Sequence, residues 1–324
     1  MSRTNQILAA VLAVQIVLVA VVFWPRPAAS VADGESLFAG LEAEQITQLT
    51  ISDATGKHVK FAKETGNWVL PEADDYPCQA NKVPEFLEKI VALKTNRLVT
   101  QTSASHKRLK VADADSERRI ELELADGTAH RLYLGSSPSY GATHVRAEGQ
   151  NEVYLASLSD SDAGVNASNW VDTLYFSVAQ DQIVALTLEN ENGRFEFEKD
   201  DDGTWTMKDL AADETLNENN VKSLATRAAS VRMLRPLGKT EQDDYGLKEP
   251  NVVVTVETRD GEGNTKSYTI RVGAKSDEDN SYVVISSESP YYVRVSNYTV
   301  KDFVERTRDD FLELPTTPTP EPTS

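Results

Sequence analysis

Cysteine is nearly missing from this chain: Cys78 stands alone among 324 residues. A single thiol excludes an intramolecular disulfide and a thiolate metal cluster within one chain. Outside the cytoplasm it leaves pairing between two chains as the one disulfide open to it. Histidine is scarce too. His58, His106, His130 and His144 are the full set, and none falls at a metal-ligand spacing such as H-x-x-x-H. Lysine and arginine (33) are outnumbered by aspartate and glutamate (51), giving a formal charge of −18. That balance argues against a nucleic-acid partner, because phosphate binding needs clustered basic residues.

Catalytic signatures are lacking as well. Ser136-Ser137-Pro138-Ser139 follows Gly135, but there is no G-x-S-x-G elbow and no ordered Ser–His–Asp context. Acidic residues are so frequent that no carboxylate pair stands out as a general acid and base. Glu198-Lys199-Asp200-Asp201-Asp202-Gly203, with Asp209 at the twelfth position, approximates a calcium loop. Its first and last ligands are exchanged in type and no helix pair flanks it, so it reads as a solvated hairpin turn. No catalytic residue, cofactor or metal is assigned, and the chain is not expected to be an enzyme.

One long apolar run is present. Ile7 to Trp24 holds 18 residues without a charge, spanning roughly 27 Å as a helix at about 1.5 Å per residue. Trp24 suits a membrane interface, and Pro25 and Pro27 stop a helix just beyond it. The expectation is a short cytoplasmic leader over 1–6, an uncleaved single-pass transmembrane helix over 7–24 in contact with membrane lipid, and a linker over 25–44. The bulk of the chain is then extracytoplasmic, with a Pro/Thr-rich disordered tail over 315–324. Ser30-Val31-Ala32 offers small residues for cleavage, the competing reading.

The remainder is written twice. About 138 residues separate Arg97-Leu98 from Arg235-Pro236, Leu109-Lys110 from Leu247-Lys248, Gly135 from Gly273, and Val153-Tyr154 from Tyr291-Tyr292; Trp68 and Trp205 match at nearly the same offset. So long a period implies globular domains and not a solenoid. Within 45–178, alternation at Ile46, Leu49, Ile51, Val59, Phe61, Trp68 and Leu70 predicts a meander turning at Asp53–Gly56 and Thr65-Gly66. Val83, Phe86, Leu87, Ile90 and Leu93 fall at helical spacing. Ile120, Leu122, Leu124, Leu132, Leu134, Val145 and Val153 predict four more strands, and a helix from about Ser168 to Leu174 closes the unit. The second unit, 179–314, repeats the pattern, with helices around Val221–Ala228 and Val300–Val304. The expected fold is α+β: a tandem repeat of two antiparallel-sheet-plus-helix domains behind one transmembrane helix.

Trp205 after a hairpin turn, Tyr245-Gly246-Leu247-Lys248-Glu249-Pro250 before a strand, Val272-Gly273 at a strand end, and Tyr291-Tyr292-Val293 resemble the bacterial family called domain of unknown function 4340. The resemblance covers roughly residues 45 to 314. In the first unit His106-Lys107-Arg108-Leu109-Lys110-Val111-Ala112 stands where the Tyr-Gly-Leu-x-x-Pro signature is expected. The resemblance implies a membrane-anchored accessory role beside a gliding-motility-type ABC transport system, with protein partners there. Gly246 permits a turn and Pro250 begins a strand; Trp68 and Trp205 read as core anchors. Tyr291 and Tyr292 should point to opposite faces of a strand. Together with Tyr245 and Leu247 these are the structural or interface candidates. The functional expectation is a non-catalytic binding or scaffold protein. The alternative is a solute- or polysaccharide-binding receptor using an aromatic-lined cleft between the units, near Trp170 and Tyr175-Phe176.

Overall fold

The computed structural model describes residues 34–200 and 202–313, together with position 15. In the first half a meander of β1 (Ile46–Asp53), β2 (His58–Glu64), β3 (Asn67–Leu70) and β4 (Tyr76–Pro77) precedes helix α1 (Lys82–Val91) and strand β5 (Leu98–Thr100). A small hairpin, β6 (Val111–Ala112) and β7 (Asp115–Ser116), leads into β8 (Arg118–Leu124), β9 (Ala129–Leu134), β10 (Thr143–Ala147) and β11 (Val153–Ala156). Nine of these strands form one sheet in the order β4-β3-β2-β1-β8-β9-β10-β11-β5.

Strand β12 (Leu174–Ser177) carries the chain into the second half, which begins with β13 (Ile183–Asn190), β14 (Gly193–Lys199) and β15 (Trp205–Met207). Helix α2 (Glu218–Ala228), β16 (Ser230–Arg232) and β17 (Arg235–Gly238) follow. Then come β18 (Val252–Arg259), β19 (Thr265–Ser276), β20 (Ser281–Ser286), β21 (Tyr292–Ser296) and helix α3 (Asn297–Glu305). The second sheet has the order β15-β14-β13-β18-β19-β20-β21-β17. Apart from β4, this is the strand order of the first.

The expected α+β class with a leading transmembrane helix is corrected. Strands dominate, and the α-helices among the described residues are three, of 10, 11 and 9 residues. None of them is long and apolar enough to cross a membrane. The span expected over 7–24, its lipid contact and the tail over 315–324 lie outside the described residues, Gln15 apart. The helix expected from Ser168 to Leu174 is also absent: a single 3-10 turn (Ala167–Asn169) gives way to β12, which pairs with β16. The Asp172 carboxylate caps the strand start by accepting the Leu174 N–H at 2.9 Å. The expected linker over 25–44 is likewise packed where it is described. Leu37 and Phe38 are buried, and the Leu37 N–H donates to the Leu93 carbonyl at 2.8 Å.

Local sequence explains why the sheets sit as they do. Ile46, Leu49 and Ile51 are all buried, yet the first gap is three residues and the second two. Simple alternation would turn Ile46 to the other face. A register shift between Ile46 and Gln48 restores it, and the same shift recurs between Ile183 and Ala185 ahead of Leu186 and Leu188. Each helix then lays one apolar stripe on its sheet: Val83, Phe86, Leu87 and Ile90 on α1, Val221, Leu224, Ala225 and Ala228 on α2. Asn217 and Ser296 cap α2 and α3 by accepting the N–H groups of Asn220 and Thr299, each at 3.3 Å.

On the opposite face of each sheet a loop folds back across a glycine: Gly135 just past the end of β9, and Gly273 inside β19 at a register shift, not at the strand end expected for it. A Cβ at Gly135 would stand 2.0 Å from the Leu109 carbonyl oxygen, and one at Gly273 would stand 2.1 Å from that of Tyr245. Neither position tolerates a side chain. Under the loops lie two separate apolar clusters, Leu109 with Val111, Tyr133 and Val153, and Tyr245 with Leu247, Val283 and Ile285. Gly273→Ala is expected to destabilise the protein by about 2–3 kcal/mol in urea unfolding, as overpacking does. Gly261→Ala, where the added carbon meets nothing within 4 Å, should leave the midpoint within error.

Candidate functional site

The two halves meet where the bend after β3 reaches the end of the second sheet. Pro71–Ala73 form a 3-10 turn, and Asp74 and Asp75 follow in the left-handed region at φ +52° and +61°. That geometry turns the Asp74 carboxylate onto the chain beyond β17, where it accepts the Lys239 N–H at 2.6 Å. Tyr76 packs edge-on against Tyr291 with ring centroids 4.7 Å apart. The Tyr291 hydroxyl donates to the Asp75 carbonyl at 3.2 Å, and the Lys239 ammonium lies 4.8 Å from its ring centre. Tyr175, on β12, pins the same corner: its hydroxyl donates to the Tyr291 carbonyl at 2.7 Å and accepts the buried Ser286 N–H at 3.0 Å.

Beside this contact lies a groove of about 710 Å³ formed by both halves. Lys57, His58, Lys60 and Glu72 face it from the first half, Arg235, Glu278 and Asp279 from the second, and Asn166 and Ser168 from the connection between them. His58 Nε2 is 3.3 Å from Glu72 Oε1, and Arg235 stands 3.7 Å from Asp279. The Ser281 hydroxyl holds Asp279 below the usual carboxylate range against the opposing pull of burial, helped by Arg235 and Arg294. Nearby, Nε and Nη1 of Arg294 are buried without a hydrogen-bond partner among the described residues. The groove thus mixes charges of both signs with aliphatic residues such as Val59, Leu70 and Leu234, and has no aromatic wall.

That arrangement corrects the expected aromatic cleft. Trp170 is a core residue, stacked edge-on against Phe61 and Phe86 at 4.9 and 5.2 Å, with its indole N–H donated to the Gly164 carbonyl at 2.8 Å. It plugs the first half as Phe311 plugs the second against Phe195 and Phe197. Phe176 is buried against Tyr268. Only Tyr175 of the three reaches the junction. Trp68 and Trp205 are both buried in the main core.

The Tyr-Gly-Leu-x-x-Pro segment is the back-folded loop of the second half. Gly246 takes φ +65° between Tyr245 and Leu247, both buried, and Pro250 is half-buried just before β18. Tyr292 joins this cluster, 5.4 Å from Tyr245 between ring centres, and its hydroxyl donates to Glu241 at 3.1 Å. Tyr291 goes the other way, into the junction. Tyr245, Gly246, Leu247 and Tyr292 are therefore brought together, while Tyr291, Trp68 and Trp205 serve other places. Sequence reasoning missed Asp74, Lys239 and Arg235 at the junction; only their distance in the chain, bridged by tertiary contact, makes them neighbours.

Three chemical possibilities have local answers. Ser136 Oγ lies 3.2 Å from His144 Nδ1, a pairing the sequence did not disclose. That nitrogen is also 2.6 Å from the Ser136 carbonyl oxygen, so it carries the proton and donates it there. A ring nitrogen so engaged cannot take a proton from the serine. In the acidic turn, Asp200 Oδ1 accepts the N–H groups of Asp202 and Thr204 at 3.0 and 2.8 Å, the same closure Asp260 gives to Glu262 and Asn264. Its carboxylate is spent on a hairpin; Asp201 lies outside the described residues. Cys78 is half-buried beside Trp68, and burial pushes its thiol up to about 12, which keeps it protonated and a poor partner for disulfide exchange.

Two predictions follow from the buried junction. Tyr175→Phe leaves the Ser286 N–H and the Tyr291 carbonyl without their partner, and urea unfolding should show a loss of about 1–3 kcal/mol. Tyr298→Phe, at an exposed ring, should show none. Burial, joined by Tyr175, Asp172 and Tyr291, also pushes the Tyr76 hydroxyl up to about 12 from its ordinary 10. Both Tyr76 and Cys78 are held neutral by the fold, so their contribution is whole below about pH 9 and is lost as pH climbs toward 12. Urea midpoints should decline between pH 9 and 11, and decline less in a Tyr76→Phe, Cys78→Ala double variant.

Neither a curated protein nor a solved structure matches the chain. A match is found to the family described as Domain of unknown function (DUF4340), over residues 68–250. It runs from Trp68 on β3 to Pro250 ahead of β18, takes in the junction bend, β17 and the back-folded loop, and covers more than half of the 324 residues. On that match the chain belongs to the DUF4340 family.

Proposed function

We propose that this is a non-catalytic binding or scaffold protein of the cell envelope, with the bulk of its chain outside the cytoplasm. Its two halves are two copies of the family's domain, joined so that their shared border holds the ligand surface. The observation that carries this reading is the groove of about 710 Å³ built from residues of both halves beside the Tyr76–Tyr291 contact. Shared strand order, the paired glycines at 135 and 273 and the repeated bulges support descent of the two halves from one domain. Membership of the family supports an accessory place beside a gliding-motility-type ABC transport system, by association.

The composition of the groove favours a macromolecular partner. Sites for small molecules are mostly apolar, with a few placed polar groups. This one sets lysine, arginine, glutamate and aspartate among apolar residues such as Val59, Leu70 and Leu234, a mixture of charge and apolar surface found in protein interfaces. Its volume alone favours the second reading, a receptor for a solute or polysaccharide.

Affinity isolation of the full-length chain from envelope extracts in mild detergent should recover an ABC transporter ATPase and permease. A Lys60→Glu, Arg235→Glu variant should lose them while retaining its unfolding midpoint. Recovery with no transporter subunit sinks the accessory role. A rise in melting temperature with soluble oligosaccharides, abolished by the same variant, would instead establish the receptor.

A further inference from the structure

Equivalent edges of the two sheets are treated differently. Strands β5 and β17 end their sheets beside β11 and β21 respectively, and Arg97-Leu98-Val99-Thr100 aligns with Arg235-Pro236-Leu237-Gly238 at an offset of 138. The β17 edge is covered from within the chain. Gly238 lies against Asp74 and Ala73, the Lys239 N–H is held by Asp74, and Pro236 and Gly238 are buried. Along β5 the edge is more open: Leu98, the counterpart of Pro236, is 48% exposed, its neighbour Val99 is 42% exposed, and Thr100 is half-buried.

The open edge carries unused polar backbone. The Leu155 N–H donates to the Arg97 carbonyl at 2.9 Å. Alternate residues of an antiparallel strand turn their polar groups to opposite sides, so Leu98 presents its N–H and C=O away from β11. An unpaired edge bearing exposed apolar side chains is an arrangement that native sheets ordinarily avoid unless something pairs with it.

Charge identifies what pairs with it. From Lys94 to Lys110 the chain has Lys94, Arg97, Lys107, Arg108 and Lys110 and not one aspartate or glutamate, in a protein of net charge −18. Lys110 is paired with Asp115 at 2.8 Å, whereas the other four form no ion pair among the described residues. A basic, apolar, unpaired strand edge fits a polypeptide of opposite charge. A lipid surface has no donors and acceptors placed to satisfy a strand edge, and a nucleic acid would meet the acidic remainder of the molecule.

We propose that β5 is a docking edge for an acidic, extended segment of a partner protein, which adds to the first sheet as a tenth strand. Backbone hydrogen bonds to Leu98 supply the affinity, Leu98 and Val99 bury the partner's apolar side chains, and Lys94, Arg97, Lys107 and Arg108 select its carboxylates. This edge is separate from the groove, so the proposal stands or falls independently of the function proposed above.

The test uses the full-length chain and a fluorescent, end-blocked peptide Glu-Val-Glu-Val-Glu-Val-Glu, followed by anisotropy. Its Lys/Val counterpart, phosphatidylglycerol vesicles and sedimentation of the protein alone serve as parallel arms. Binding of the acidic peptide and not the basic one is expected. Leu98→Pro removes the outward N–H at an edge position, where proline is tolerated, and should weaken binding at least about tenfold. Leu98→Ala keeps that N–H and should weaken it less. Arg97→Glu with Arg108→Glu should also cost about tenfold or more, with circular dichroism unchanged in all variants. Equal binding of both peptides, no binding of the acidic peptide at millimolar concentration, or indifference to Leu98→Pro overturns the proposal. So does vesicle binding that is lost on charge reversal and kept in Leu98→Pro. Self-association abolished by Leu98→Pro overturns it too, giving the edge to a second copy of the chain.

Discussion

One covered sheet edge governs how this molecule is put together. A strand at the end of a sheet exposes a row of unpaired donors and acceptors, and something must satisfy or shield them. Here the bend at residues 71–75 does so for β17, with Asp74 and Asp75 held in left-handed backbone geometry that costs each of them on the order of 1 kcal/mol. Aspartate tolerates that region better than most residues because its short side chain bonds locally. The cost is offset by the hydrogen bonds these residues accept from Lys239 and Tyr291 and by the edge-on packing of Tyr76 against Tyr291. The groove exists because this contact brings the strand ends of one half alongside the last sheet strands of the other.

Each half solves its other structural problems in the same manner with different residues. Both fold a segment back over a glycine of the sheet and fasten it with an arginine that donates to a carbonyl of that segment: Arg146 to Val111 at 2.7 Å, and Arg271 to Leu247 at 3.3 Å. In the first half Arg146 is almost fully buried, lies over the Tyr133 ring and pairs with Asp113. Hydrogen bonding to that guanidinium holds the Asp113 carboxyl below its usual range. In the second half Tyr245 and Tyr292 fill the same space with aromatic surface. The absence of the Tyr-Gly-Leu-x-x-Pro pattern from the first half therefore does not leave its loop unsupported; a buried cation has replaced an aromatic pair.

Elements whose burial is decided by near neighbours were readable from sequence. The hairpins closed by Asp53, Asp200 and Asp260, the apolar stripe of α1, and the glycines at 135 and 273 all announce themselves within a few residues. The 3-10 turn at 167–169 did not, since Ser168 to Leu174 has helical spacing but its aromatic residue, Trp170, is drawn across to Phe61 and Phe86 from distant strands. Phe311 was missed as a core residue for the same reason: its partners lie more than a hundred residues away.

The amino-acid order by itself determined the doubled strand pattern, the acidic surface and the opposite fates of Tyr291 and Tyr292, because alternation and turn chemistry act over two to five residues. Tertiary structure alone decided that β17 would be shielded and β5 left bare. It also decided that Trp170 would be sealed inside the first half, leaving the groove between the halves without an aromatic wall. Those outcomes depend on which surfaces remain after two sheets have packed, and residues far apart in the chain, from Phe86 and Trp170 to Asp75 and Tyr291, settle that through contacts that have no local signature.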